Sequence, residues 1–267
     1  MNEVNQKLLE LAKKIALPYI ANPKVLSISI NGSVAREQAD VYSDIDMSIY
    51  YSEFPTKEEI DKAHQINNIS HYKFILAPGK QTYAEHQEFG AIIEQFWSNG
   101  TKFDLVHSTT NYIESVIEEN IISCDPNSPM LKILAGIDEA LPIHGFEYIE
   151  KLQALVRNYP KNLAIAMVEN NLNFRPLWII ERQGVERNDI PFFLDEILIV
   201  AKHIVGILVG LNYLYYPVNS VEFKRTNYWI EKMIIAPKNF AFRFKQLFYE
   251  EPSIVLNIIK KLIEDTL

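Results

Sequence analysis

The stretch from Val25 to Tyr51, VLSISINGSVAREQADVYSDIDMSIYY, constrains the fold of this chain more than any other. Its opening apolar run, Val25 to Ile30, predicts a buried strand. The run stops at Asn31-Gly32-Ser33, where Gly32 permits a tight turn or the close approach of a ligand to the backbone. Ten residues after Ser33 begins Ser43-Asp44-Ile45-Asp46-Met47-Ser48-Ile49, which predicts a second strand. Alternation along that strand places Asp44 and Asp46 on one face, with Ile45 and Met47 on the other. Two carboxylates about 7 Å apart along one strand face repel each other. The usual reason to keep such a pair is a hard divalent cation with oxygen ligands.

The rest of the first half predicts a small sheet with helices. Val4 to Ile20 has a helical stripe of Leu8, Leu9, Leu11, Ala12 and Ile15, with Pro18 as its stop. The spacer Val34 to Tyr42 has room for one helical turn. Thr56 and Glu59 form a capping box for a helix from Lys57 to Ile66. His71 to Ala77 is a third strand. Ala91 to His107 predicts a hairpin turning at Ser98-Asn99-Gly100, its second arm carrying Asp104 between Phe103 and Leu105. A helix from Asn111 to Asn120 follows.

After Cys124 the run Asp125-Pro126-Asn127-Ser128-Pro129 is a turn-rich break, and the chain beyond it predicts helices. They are Met130 to Ala140, Phe146 to Asn171 (interrupted near Pro160), Arg175 to Arg187, Pro191 to Leu214, Val221 to Ile235, Pro237 to Glu250 and Pro252 to Asp265. The expected class is therefore α+β: a mixed α/β domain over residues 1–124, then a helical bundle over 125–267.

Charge narrows the function. A net charge of −8 and a pI near 5.4 argue against a general nucleic-acid binder, which needs a basic footprint. They suit a cationic substrate, or one delivered with metal ions. The single cysteine, Cys124, excludes an internal disulfide and a cysteine metal cluster. The six histidines lack the spacing of a zinc site. The amino terminus, MNEVNQKLLELAKK, has no signal-peptide centre. Ile197 to Leu211 contains Lys202 and His203 and is too short and too polar to span a membrane. The expectation is a soluble, cytoplasmic protein.

Gly32-Ser33, the spacer Val34 to Ser43, and Asp44-Ile45-Asp46 resemble the motif of the nucleotidyltransferase superfamily, the fold of DNA polymerase beta. The wider pattern, Gly32-Ser33-Val34-Ala35-Arg36 followed by Tyr42-Ser43-Asp44-Ile45-Asp46, resembles the small bacterial branch containing the aminoglycoside and lincosamide nucleotidyltransferases. The chain departs from that branch at Glu37, where a second glycine is frequent. This puts a carboxylate near the expected triphosphate.

The resemblance runs from about Val25 to Asp104. It implies Mg²⁺-dependent transfer of a nucleoside monophosphate, AMP from ATP, to a hydroxyl of a small molecule, an antibiotic being the nearest analogy. It implies two Mg²⁺ ions on Asp44 and Asp46. Asp104 is the candidate third carboxylate, either a metal ligand or the catalytic base for the attacking hydroxyl, and Glu94 competes for that place. Gly32 and Ser33 are expected to face the triphosphate, with Arg36 and Lys224 as further nucleotide-binding candidates. Tyr213, Tyr215, Tyr216, Tyr228 and Trp229 are read as core or interface, with an acceptor or base pocket as the alternative. Two other readings stay open: the same chemistry on a protein partner, and a catalytically silent nucleotide-binding or regulatory protein.

Overall fold

The computed structural model describes residues 2–216 and 223–267, with side chains from residue 226 onward in the second span. The chain forms two compact units, Met1–Glu119 with Ile133–Asn158, and Asn120–Lys132 with Tyr159–Leu267.

The first unit begins with α1 (Glu3–Ile20), β1 (Val25–Asn31), the short turn α2 (Gly32–Ala35) and β2 (Ile45–Tyr51). There follow α3 (Lys57–Asn67), β3 (Tyr72–Ile75), α4 (Tyr83–Phe89), β4 (Ala91–Ser98) and β5 (Thr101–Thr109). After α5 (Thr110–Ser123) and α6 (Leu131–Asp138) come β6 (Leu141–His144) and α7 (Phe146–Arg157). The strands form one mixed sheet in the order β3-β4-β5-β2-β1-β6. Its β2–β5 pairing is parallel and its other pairings are antiparallel.

Alternation gives the sheet two unlike faces. One carries Ile28, Ile30, Ile45, Met47, Ile49, Tyr51, Phe103, Leu105 and Phe96, packed against Leu8, Ala12, Ile15 and Tyr19 of α1. The other carries Asn31, Asp46, Ser48 and Asp104, so the apolar face fixes the register that brings the polar residues together. The β4–β5 loop is the two residues Asn99 and Gly100, with φ of 50° and 76°. Positive φ at both positions is what a type I′ hairpin turn requires, and it locks the pairing of Trp97 with Lys102.

The spacer between β1 and β2 is tied down by α1. Asn5 is fully buried. Its Nδ2 donates to the Val34 carbonyl at 3.1 Å, and its Oδ1 accepts from the Ala39 N–H at 3.1 Å. The Asn2 side chain donates to the Ala39 carbonyl at 3.0 Å. Further along, Asp40 Oδ1 accepts from the Tyr42 N–H at 3.0 Å and the Ser43 hydroxyl at 3.1 Å, closing the turn that leads into β2. Asn5→Ala is expected to cost about 2–4 kcal/mol, because it strands two buried backbone groups at once. Urea unfolding measures this, and a loss under about 0.5 kcal/mol would show that the spacer holds itself.

The second unit is helical: α8 (Lys161–Asn171), α9 (Leu177–Ile180) running into a π-helical turn (Glu181–Glu186), α10 (Ile190–Leu211), α11 (Phe223–Lys232), α12 (Phe240–Gln246) and α13 (Pro252–Thr266). Tyr215, Tyr216 and Trp229 are buried there, and the Tyr216 hydroxyl shares a 2.8 Å hydrogen bond with Thr226, so these aromatics are core. Glu196, buried on α10, pairs with Arg175 at 2.7 Å. No described helix is long and apolar enough to cross a membrane.

The class is α+β, as expected. Two local readings change. Pro18 lies inside α1, which continues to Ile20. Leu141–His144 is a strand within the stretch read as helical, because it pairs with Ile28–Ile30 of β1. This pairing draws residues 133–158 into the first unit, so the compact units do not divide at a single point after Cys124.

Candidate metal centre

Asp44 and Asp46 arrive from the start of β2, and Asp104 from β5. The parallel register sets Asp46 directly beside Asp104. Each of the three carboxylates offers an oxygen, and these atoms all lie within 4.8 Å of one another. Oδ1 of Asp104 is buried without a hydrogen-bond partner. Such an atom is costly unless something binds it.

Gly32 adjoins this group. It has φ of +64°, and a Cβ at this position would collide with Oδ2 of Asp46. Glycine is thus required twice over, by the backbone conformation and by the carboxylate beside it. Glu37 has φ of 59°, also in the left-handed region. A glycine there, as in the branch this segment resembles, would adopt that conformation without strain. Ser33 lies in the short turn α2 and is part-buried.

Arg36 is drawn to the carboxylate of Glu139, Nη1 to Oε2 at 3.2 Å, with both side chains mostly buried. The side chain of Lys224 lies outside the described residues. Glu94 does not approach the carboxylate group. Asp104 pairs with Gln95 across the hairpin and Glu94 with Leu105, so Glu94 faces the opposite side of the sheet. It is completely buried there. His107 Nε2 sits 2.8 Å from its Oε2, and His64 Nε2 lies against its Oε1 as an ion-pair contact rather than a well-directed hydrogen bond. The Tyr51 hydroxyl meets the far nitrogen of His107 at 2.8 Å.

Sequence reasoning missed Lys102. Its Nζ lies 2.7 Å from Asp104 Oδ2 and 3.6 Å from Asp44 Oδ2. The hydrogen bond to Asp104 raises the ammonium above the usual lysine range, with Asp44 adding to the effect. The signal was its spacing: two residues before Asp104 on a strand, Lys102 shares that residue's face.

The donor set fits a hard divalent cation. It is all oxygen, it is acidic, and it includes a buried carboxylate atom with no other partner. In such a site Lys102 acts as an internal countercharge that a metal ion must displace or share. Lys102→Met is expected to tighten Mg²⁺ binding about tenfold, the low end of Coulomb estimates at this separation because the site is partly open to water. The metal-free protein should melt lower. Calorimetric titration with Mg²⁺ tests this, and unchanged affinity would remove Lys102 from the centre.

No protein-family profile and no curated protein matches the chain. Among solved structures, a nucleotidyltransferase-like protein from Exiguobacterium sibiricum is similar, with a TM-score of 0.41 and 11% identity, over 96% of this chain and 73% of that one. A likeness that loose carries no chemistry, and the site stands on its own residues.

Proposed function

We propose that the chain is a divalent-metal-dependent nucleotidyltransferase, moving AMP from ATP to a hydroxyl of a small acceptor. The observation that carries this reading is the convergence of Asp44, Asp46 and Asp104 beside a glycine that has no room for a side chain. When bound, Mg²⁺ would be held by Asp44 and Asp46, with Asp104 as either a third ligand or the base, and would neutralise charge on the triphosphate and the attacking oxygen.

The remaining roles belong to the chain. Gly32 and Ser33 receive the triphosphate, the absent side chain at residue 32 letting phosphate oxygens approach the backbone. Arg36 assists if phosphate draws it from Glu139. Lys224 is retained as a nucleotide-binding candidate from the resemblance alone. In the role of base, Asp104 takes the proton of the attacking hydroxyl. The acceptor oxygen bonds to the α-phosphorus as the bond to pyrophosphate breaks.

The test is pyrophosphate release from ATP and Mg²⁺ across an acceptor panel, beside the shift in melting temperature that ATP–Mg²⁺ produces. No shift and no release would sink the reading. Lys102 favours a second reading: a lysine already compensating two of the carboxylates also suits a silent nucleotide-binding protein. That protein would show the shift without release. Asp104→Asn divides proton transfer from metal binding. Loss of a base should cut the rate by about 10²–10⁴-fold with the Mg²⁺ requirement unchanged, whereas loss of a ligand should raise the Mg²⁺ concentration giving half-maximal rate.

A further inference from the structure

A pocket of about 340 Å³ opens at the end of the sheet, between the spacer turn and the tip of the β4–β5 hairpin. Val4 and Leu8 of α1 contribute to its lining, Tyr42 stands on the spacer and Trp97 on the hairpin, and Asp44 and Lys102 connect it to the carboxylate centre. The volume is that of a small-molecule site. Tyr42 is 93% exposed and Trp97 68% exposed, so both rings are open to solvent beside the pocket.

Its place in the strand order is informative. Crossing the sheet from β1 to β4, one meets Gly32, then Asp46, then Asp104, then Trp97. Gly32 and Trp97 therefore stand on opposite sides of the carboxylates, and the pocket that Trp97 helps to line adjoins them at Asp44 and Lys102. In an in-line displacement the nucleophile enters opposite the leaving group. With the triphosphate at Gly32 and Ser33, the nucleophile comes from the side of the pocket.

The walls identify the class of ligand. They combine the aromatic and aliphatic side chains of Val4, Leu8, Val41, Tyr42 and Trp97 with polar groups whose charges have partners within the protein. Asp40 accepts hydrogen bonds within its own turn, and Asp44 is compensated by Lys102. Both carboxylates of the lining thus already have partners within the protein, which leaves less for a polycation to recruit.

We propose that this pocket is the acceptor site and that it takes a small, flat, ring-bearing alcohol or phenol, in contrast to a polycationic amino sugar. The proposal rests on the nucleotidyltransferase reading. The ring would lie between Tyr42 and Trp97, with its hydroxyl directed to the carboxylates. The hydroxyl oxygen bonds to the α-phosphorus, its proton passes to Asp104, and pyrophosphate leaves with the electrons of the broken bond.

The experiment uses saturation-transfer NMR on the metal-free full chain, with tyrosol, glucosamine and adenosine as probes. Tyrosol is expected to bind wild type, and its signal to fall about fivefold or more in Trp97→Ala and in Tyr42→Ala. Both residues are exposed, so the variants should keep the wild-type melting temperature. Glucosamine should give no signal that depends on either residue. Tyrosol binding undiminished in both variants, or absent from wild type, would overturn the proposal. So would adenosine binding through Trp97 while tyrosol does not, since the pocket would then hold the base. Failure of the underlying reading looks different: tyrosol binds through Trp97, but ATP–Mg²⁺ neither shifts the melting temperature nor releases pyrophosphate.

Discussion

Asp46→Asn is expected to lose about 10³-fold or more of nucleotidyl transfer while its metal-free fold stays as stable as wild type or becomes more so. Asp46 stands in register with Asp104 and its carboxylate shares one small volume with those of Asp44 and Asp104. Converting one carboxylate to an amide of the same shape removes a ligand that a hard cation needs. It also removes a repulsion that the empty protein must bear. Activity and stability should therefore move apart, the reverse of what a simple folding defect produces. Pyrophosphate release, melting in the presence of chelator and Mg²⁺ titration together measure this. Turnover near that of wild type would show the metal assignment to be wrong.

The second large effect is expected on the other side of the sheet, and in stability. Glu94→Ala should destabilise the first unit by about 3–5 kcal/mol, because it leaves His64 and His107 buried without their anion. Mg²⁺ affinity should not change, since Glu94 faces away from Asp104. Urea unfolding and metal titration of the same variant separate the two quantities. A loss of Mg²⁺ binding in a folded Glu94→Ala protein would return Glu94 to the centre.

The pH dependence of this contribution has a definite sign. Burial pushes the Glu94 carboxyl up, but the hydrogen bond with His107 and the close contact of His64 reverse this and hold it below its usual 4.5. A carboxyl with a folded pKa below its unfolded one contributes fully above the unfolded value. That contribution disappears as pH falls through the folded value. Stability of the wild type from this source should hold down to about 4.5 and decline below it, and Glu94→Gln should lack that acid limb.

The core of the candidate site was legible because two periodicities overlapped. The apolar residues of β1 and β2 fixed which way Asp46 points, and the apolar neighbours of Asp104 did the same on β5. The exclusion of Glu94 was also within reach. Once Asn99-Gly100 is taken as a two-residue turn, Asp104 must pair with Gln95, and a one-residue offset reverses the face. Asn5 was hidden because a buried asparagine on an amphipathic helix has no pattern of its own. Its importance comes from backbone groups 29 and 34 residues away in the chain, those of Val34 and Ala39. The spacing of Lys102 to Asp104 was visible along one strand, but its approach to Asp44 depends on the meeting of β2 with β5. The strand β6 is four residues long and contains Pro142. Its strand character is supplied by its partner, so no local propensity announces it.

That late strand has a consequence for how the protein is made. Until residues 141–144 leave the ribosome, the outer edge of β1 has no neighbour. Its backbone groups stay open to pairing with any extended chain nearby. Ser27, whose hydroxyl contacts the carbonyls of His144 and Gly145 at 2.8 and 2.9 Å, waits equally long for its partners. A nascent chain stalled or cleaved near residue 124 would carry all three aspartates and yet present a raw sheet edge. Such fragments are expected to aggregate, and adding back a peptide spanning β6 should restore their solubility.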